Sequence, residues 1–164
     1  MQLKMTEEQS LIVSMVRRFV HEEILPLELS LDPDADDEGI APAEVKKNAL
    51  QLLIELLGSG KAQEAAAYAI AKLAQDNHAI QNEISELGGI PKLISLLSVL
   101  SIDAQAQAAA ALAAVAGGDS SIKNVIAKAG GIRPLLVLVE SKYPSAQRNA
   151  AHAIAMLALN HRGN

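Results

Sequence analysis

The chain has no cysteine and no tryptophan, so disulfides, thiolate metal sites and thiol catalysis are excluded together. Of its 164 residues only Phe19, Tyr68 and Tyr143 are aromatic. That leaves little for base stacking, and the sequence predicts no nucleic-acid partner. Nowhere do roughly eighteen apolar residues run together, as a membrane span would need. Even the alanine tract at 104–117 is broken by Gln105 and Gln107. Residues 1–9 are polar and precede no apolar core with a small-residue cleavage site, so the expectation is a soluble, cytoplasmic chain without a membrane partner.

What is present is mostly alanine, leucine and isoleucine, within an apolar content of 50%. Alanine and leucine are the strongest helix formers, and β-branched and aromatic residues are scarce, so the composition predicts an all-α fold. The net charge of −5 hides an asymmetry. Residues 1–45 carry eleven acids and three bases (−8), whereas residues 46–164 carry eight acids and eleven bases (+3). An acidic arm therefore precedes a mildly basic body.

Sliding the body against itself gives a persistent match at an offset of 42. Ala62-Gln63, Ala104-Gln105 and Ala146-Gln147 are in phase, as are Ala69-Ile70-Ala71, Ala111-Leu112-Ala113 and Ala153-Ile154-Ala155. Upstream, Ile80, Asn82, Ile84, Gly88, Gly89, Ile90, Leu93 and Leu96 recur as Ile122, Asn124, Ile126, Gly130, Gly131, Ile132, Leu135 and Leu138. One phase held through so many apolar and glycine positions predicts a stacked helical array. Asn77 and Asp119 are N-cap residues for a short first helix, which Gly88-Gly89 or Gly130-Gly131 ends. A second helix follows at about 90–99 and 132–141, with Pro91 or Pro134 in its first turn. An alanine-rich third helix spans about 103–117 and 145–159.

A 42-residue unit of three helices with a Gly-Gly corner and an alanine-rich third helix resembles the armadillo repeat. The resemblance covers residues 43–160: a partial unit at 43–75 that lacks its first helix, then full units at 77–117 and 119–160, with a tail at 161–164. It implies a right-handed helical solenoid that binds proteins or peptides rather than catalysing a reaction.

Residues 1–42 depart from this pattern. Thr6-Glu7-Glu8-Gln9 is a capping box, followed at helical spacing by Ile12, Met15, Val16, Phe19, Val20 and Ile24. This predicts an amphipathic helix within 1–29, with Ile12, Val16 and Phe19 covering Leu50, Leu53 and Leu57 of the partial unit, and an acidic linker at 30–42. The helix resembles the first helix of acyl-CoA dehydrogenases, but over about 25 to 40 residues that include no catalytic or flavin-contacting position, so no activity is implied. Its juxtaposition with armadillo-like units fits an engineered or recombined chain, or convergence on a good amphipathic helix.

Signatures of chemistry fail one by one. Gly58-Ser59-Gly60-Lys61 has Glu55 where a phosphate loop needs its first glycine and Ala62 where it needs Ser or Thr, so it reads as an interhelical turn. His21, His78, His152 and His161 form no ligand pair at helical spacing. Asp34, Asp36 and Glu38 with Gly39 follow a calcium loop until Val45 occupies the place of the closing bidentate Glu. The sequence therefore predicts neither metal nor cofactor and no catalytic residues.

The informative positions are on the third helices. In the armadillo groove of importin type, a tryptophan and, four residues later, an asparagine recur on each unit. Here the first position reads Tyr68, Ala110 and His152, and the second reads Lys72, Ala114 and Met156, so the ladder is absent. One turn earlier stand Glu64, Ala106 and Arg148. These nine residues are the expected partner-binding face, an alanine floor flanked by larger side chains, with Lys72 and Arg148 favouring an acidic peptide. Ile154, Leu157 and Leu159 lie on a terminal helix with no polar cap, so homodimerisation through the C-terminal repeat is expected there. Two functional classes stay open: an interaction module with a peptide or protein partner, and a structural or engineered armadillo fragment without a ligand of its own. Asn160–Asn164 stands where a further first helix would begin, which favours a fragment.

Overall fold

The computed structural model describes residues 42–60 and 62–159, together with Arg18. Within them the chain is helical throughout and contains no strand: α1 (Pro42–Leu56), α2 (Gln63–Ala74), α3 (His78–Glu86), α4 (Gly89–Leu96), α5 (Ile102–Val115), α6 (Ser120–Lys128), α7 (Ile132–Val139) and α8 (Pro144–Ala158). The amphipathic helix expected within 1–29, the acidic linker and the tail lie outside the described residues, apart from Arg18 and Pro42.

The short helices begin where a side chain can satisfy an otherwise unpaired N–H. Asn77 Oδ1 accepts from the Ile80 N–H at 3.2 Å and starts α3. Asp119 Oδ1 accepts from the N–H groups of Ser121 and Ile122 and starts α6. Ser101 does the same for α5 through the Ala104 N–H, while α8 opens with a proline, Pro144. The recurring Gln of the Ala-Gln pair has a structural use as well. Gln105 Nε2 donates to the Val99 carbonyl at 2.6 Å, and Gln147 Nε2 to the Val139 carbonyl at 3.0 Å. Each ties the start of a third helix to the chain leaving the second.

The two glycines at each corner serve different ends. Gly88 and Gly130 take φ of 72° and 82°, a left-handed conformation that costs any residue with a Cβ. Gly89 and Gly131 are needed for space. A Cβ on Gly89 would lie 2.8 Å from Ile84 Cγ2 and 3.3 Å from Ile54 Cδ1, and one on Gly131 would lie 2.9 Å from Ile126 Cγ2 and 3.1 Å from Ile94 Cδ1. Ile54 and Ile94 belong to the second helix of the preceding unit, so each corner is a socket for the unit before it.

Stacking therefore repeats. Helix α5 packs between α2 and α8, and the first helices α3 and α6 pack on one another. The core follows this stack, with Leu50, Ile70, Ile90, Leu93, Leu112 and Leu135 among its fully covered side chains. Alanines fill the contacts between third helices: Ala66, Ala108 and Ala150, in the same place on α2, α5 and α8, are all at 0% exposure. Small side chains let the helix axes approach closely, which leaves one face of α2, α5 and α8 as a continuous surface.

Candidate functional site

Residues four apart on a helix share a face, and the face that α2, α5 and α8 present together is a groove of about 650 Å³. Tyr68 and Lys72 form the α2 side of it, Gln107, Ala110 and Ala114 the middle, and Asn149, His152 and Met156 the α8 side. His78 and Gln81 of α3 close one end. Of the nine residues expected from the sequence, Tyr68, Lys72, Ala110, Ala114, His152 and Met156 line this groove.

The row one turn earlier does not. Ala106 departs from the expected open floor: it is buried, and its carbonyl accepts from Asn149 Nδ2 at 2.9 Å. Asn149 crosses from α8 to α5 there, and so roofs the alanine. Glu64 is half-buried and Arg148 exposed, but neither reaches the groove. The self-association trio also separates. Leu157 is buried and Ile154 half-buried, leaving Leu159 as the exposed member. Leu157 turns into the core because it holds the place that Leu73 and Val115 hold on α2 and α5, both buried.

Two features of the groove decide its chemistry. The Lys72 ammonium stands 5.6 Å from the centre of the Tyr68 ring, a cation–π distance, so the exposed cation is held over the groove wall. At the closed end Gln81, only 1% exposed, donates from Nε2 to the Ala74 carbonyl at 2.8 Å and to the Ala114 carbonyl at 3.0 Å. Both carbonyls lie in the last turn of a third helix, where intrahelical partners run out. His78 Nδ1 lies 3.0 Å from Gln81 Oε1 and, facing an acceptor, carries the hydrogen. The corresponding residue of the next unit is Lys123, buried, whose Nζ donates to the Leu159 carbonyl at 2.6 Å beyond α8.

The sequence reading missed Gln81, Gln107 and Asn149. Gln81 left one signal, since it is a polar residue beside the apolar Ile80 in a helix too short to have a spare face. Among the described residues no three His, Asp or Glu side chains gather where they could hold a metal ion. None of the described helices is long and apolar enough to cross a membrane. The expected acidic loop lies outside the described residues, as does Lys61 of the Gly-Ser-Gly-Lys turn.

No known sequence family and no curated protein matches the chain. Solved structures do. An engineered protein is 31% identical at a TM-score of 0.66, with 68% of this chain and 47% of that one covered. A designed armadillo repeat protein is 25% identical at a TM-score of 0.64, with 91% and 72% covered. The chain has the armadillo-repeat fold. A second designed armadillo repeat protein, in complex with the peptide (KR)4, shares the fold at a TM-score of 0.71 and 23% identity, with 94% and 61% covered. The armadillo chain described here spans about half the length of the engineered neighbour. Its likeness to the designs lies in the helical stack, whereas its groove carries Tyr68, Lys72, His152 and Met156 at positions where the importin-type ladder has tryptophan and asparagine.

Proposed function

We propose that the chain is a non-catalytic interaction module whose groove takes an acidic, partly apolar peptide or helix. The observation that carries this reading is the groove itself, which draws side chains from all three units onto an alanine floor. Ala110 and Ala114 offer contact without obstruction, and Met156 adds a flexible apolar wall. Lys72, positioned over Tyr68, and the exposed Arg148 nearby supply positive charge toward which an acidic chain is drawn. The designed neighbour in complex with (KR)4 takes the opposite charge. With no asparagine ladder to grip a peptide backbone, exposed ion pairs contribute only about 0.2–1 kcal/mol each. Binding is therefore expected to be micromolar or weaker, and salt-sensitive.

The test is calorimetric titration of matched acidic and basic peptides at low and high salt, with the unmodified chain and with Lys72→Glu plus Arg148→Glu. The acidic peptide binds the unmodified chain, and salt or the double substitution abolishes it. Preference for the basic peptide overturns the proposal. Binding of neither favours the second reading, an armadillo fragment whose role is structural.

A further inference from the structure

Gln107 and Asn149 stand one repeat apart, in the same place on α5 and α8, and both line the groove. Each is half-buried rather than out in solvent. Gln107 makes no hydrogen bond among the described residues. Asn149 commits one edge of its amide, Nδ2, to the Ala106 carbonyl at 2.9 Å, which leaves Oδ1 without a partner among the described residues. Two neighbouring third helices therefore bring unused amide groups to one groove. The equivalent place on α2 is Ala65, which is buried and has nothing polar to offer a ligand. There the groove has Lys72 over Tyr68 instead. The row of Gln107 and Asn149 is not the row of Lys72, Ala114 and Met156, where the importin-type ladder has asparagine.

We propose that Gln107 and Asn149 hold the main chain of the ligand, and hence that the ligand is an extended strand and not a helix. The inference rests on the reading of the groove as a site for an acidic, partly apolar peptide, and it decides the conformation of that peptide. A helix pairs its main-chain N–H and C=O groups with one another, so along its length it has none to give these amides. An extended strand has both kinds of group free, and those facing one way recur every two residues, about 6.7 Å. Third helices packed through alanine lie about 8 Å apart, so a strand crossing the groove meets Gln107 and Asn149 with successive groups of this kind. Gln107 both donates and accepts, whereas Asn149 Oδ1 accepts from a main-chain N–H. Once the ligand displaces water, an amide left unpaired is penalised, which selects the strand that pairs it. The same layout orders the ligand's residues. No Asp, Glu, Lys or Arg of α5 or α8 lines the groove, and Asp76 lines it next to His78 at the closed end. The acid therefore belongs beside Lys72 and Tyr68, and small or apolar residues cross the alanine floor from there.

The experiment is calorimetric titration of the full chain, unmodified and as Gln107→Met, with peptides of one composition: glutamate at one end, then alternating alanine and leucine. One peptide is unrestrained, two carry methyl groups on alternate main-chain nitrogens in either phase, and one is stapled as a helix. The unrestrained peptide binds the unmodified chain, and methylation in one phase weakens it about fivefold or more, the loss of a main-chain hydrogen bond. Gln107→Met weakens the unrestrained peptide by a similar factor and narrows its advantage over the methylated one, a coupling that a merely structural residue does not produce. Gln107 has no internal bond to lose, and circular dichroism confirms that the variant is folded. If it is not, the peptide series on the unmodified chain decides alone. Equal affinity for the unrestrained and both methylated peptides overturns the proposal and leaves the peptide reading standing. So does a stapled helix that binds as well as the unrestrained peptide, or an advantage over the methylated peptide that Gln107→Met leaves unchanged. Binding of none of the peptides overturns the proposal and the peptide reading together.

Discussion

The middle unit, α3 to α5, and the last unit, α6 to α8, carry nearly the same pattern and differ in what is stacked against them. Both have a side-chain cap on the first helix, a left-handed glycine, a close-packed glycine and an alanine-rich third helix. Ile90 is nevertheless core and Ile132 half surface. The energetic role of a residue in a repeat array is thus set by its neighbour as much as by its own type.

The largest test of this difference is a paired truncation. Ile90→Ala is expected to cost about 2–5 kcal/mol in urea unfolding, the range for deleting a buried branched side chain. Ile132→Ala is expected to cost less than about 1 kcal/mol. Equal losses would break the comparison. Next comes Gln81→Leu, which strands the carbonyls of Ala74 and Ala114 and is expected to cost about 1–3 kcal/mol. Lys123→Leu frees only the Leu159 carbonyl next to exposed residues, so a smaller shift of the urea midpoint is expected. A third pair should not differ between units. Gly88→Ala and Gly130→Ala each force a Cβ into the left-handed region, with nothing within 4 Å of it, and each is expected to lose roughly 1–2 kcal/mol. A marked inequality would show that the corners are not equivalent.

The smallest effect separates the two caps by pH. Asp119 has its carboxyl held below the ordinary carboxylate range, first by the Ser121 hydroxyl and then by the Ile122 N–H. A depressed pKa contributes stability that is complete above the unfolded value and lost as pH falls through the folded one. Asp119→Asn is therefore expected to flatten the acid side of the stability profile below the ordinary carboxylate pKa. Asn77 caps the middle unit without a titrating group, so Asn77→Asp should steepen the same limb. A profile unchanged by either substitution, followed by thermal melts across acid pH, would remove the charged cap from the account.

Much of this architecture was legible in the residues. The offset of 42 made the helices predictable because glycine and N-cap residues mark backbone geometry, which is local. The Gly-Gly corner announced a turn, but only the structure shows that its second glycine makes room for Ile54 or Ile94 of another unit. The groove was half legible. Counting by fours placed Tyr68, Lys72, Ala110, Ala114, His152 and Met156 correctly on one face. It also placed Ala106 there, because periodicity gives direction and cannot see Asn149 arriving from the next helix. Leu157 misled for the opposite reason: a leucine near the end of a helix looks uncovered until its own unit folds over it.

The two bonds from Gln81 make the width of the groove a property of one side chain. Gln81 is a neutral amide, and its two donated bonds hold the ends of α2 and α5 together whatever the proton concentration. His78 offers Nδ1–H to Gln81 Oε1, which orients the amide so that its Nε2 faces the two carbonyls. The frame that spaces Tyr68 from Ala114 is therefore set by an uncharged group. Salt would reach a ligand held by charge and leave one held by form alone untouched.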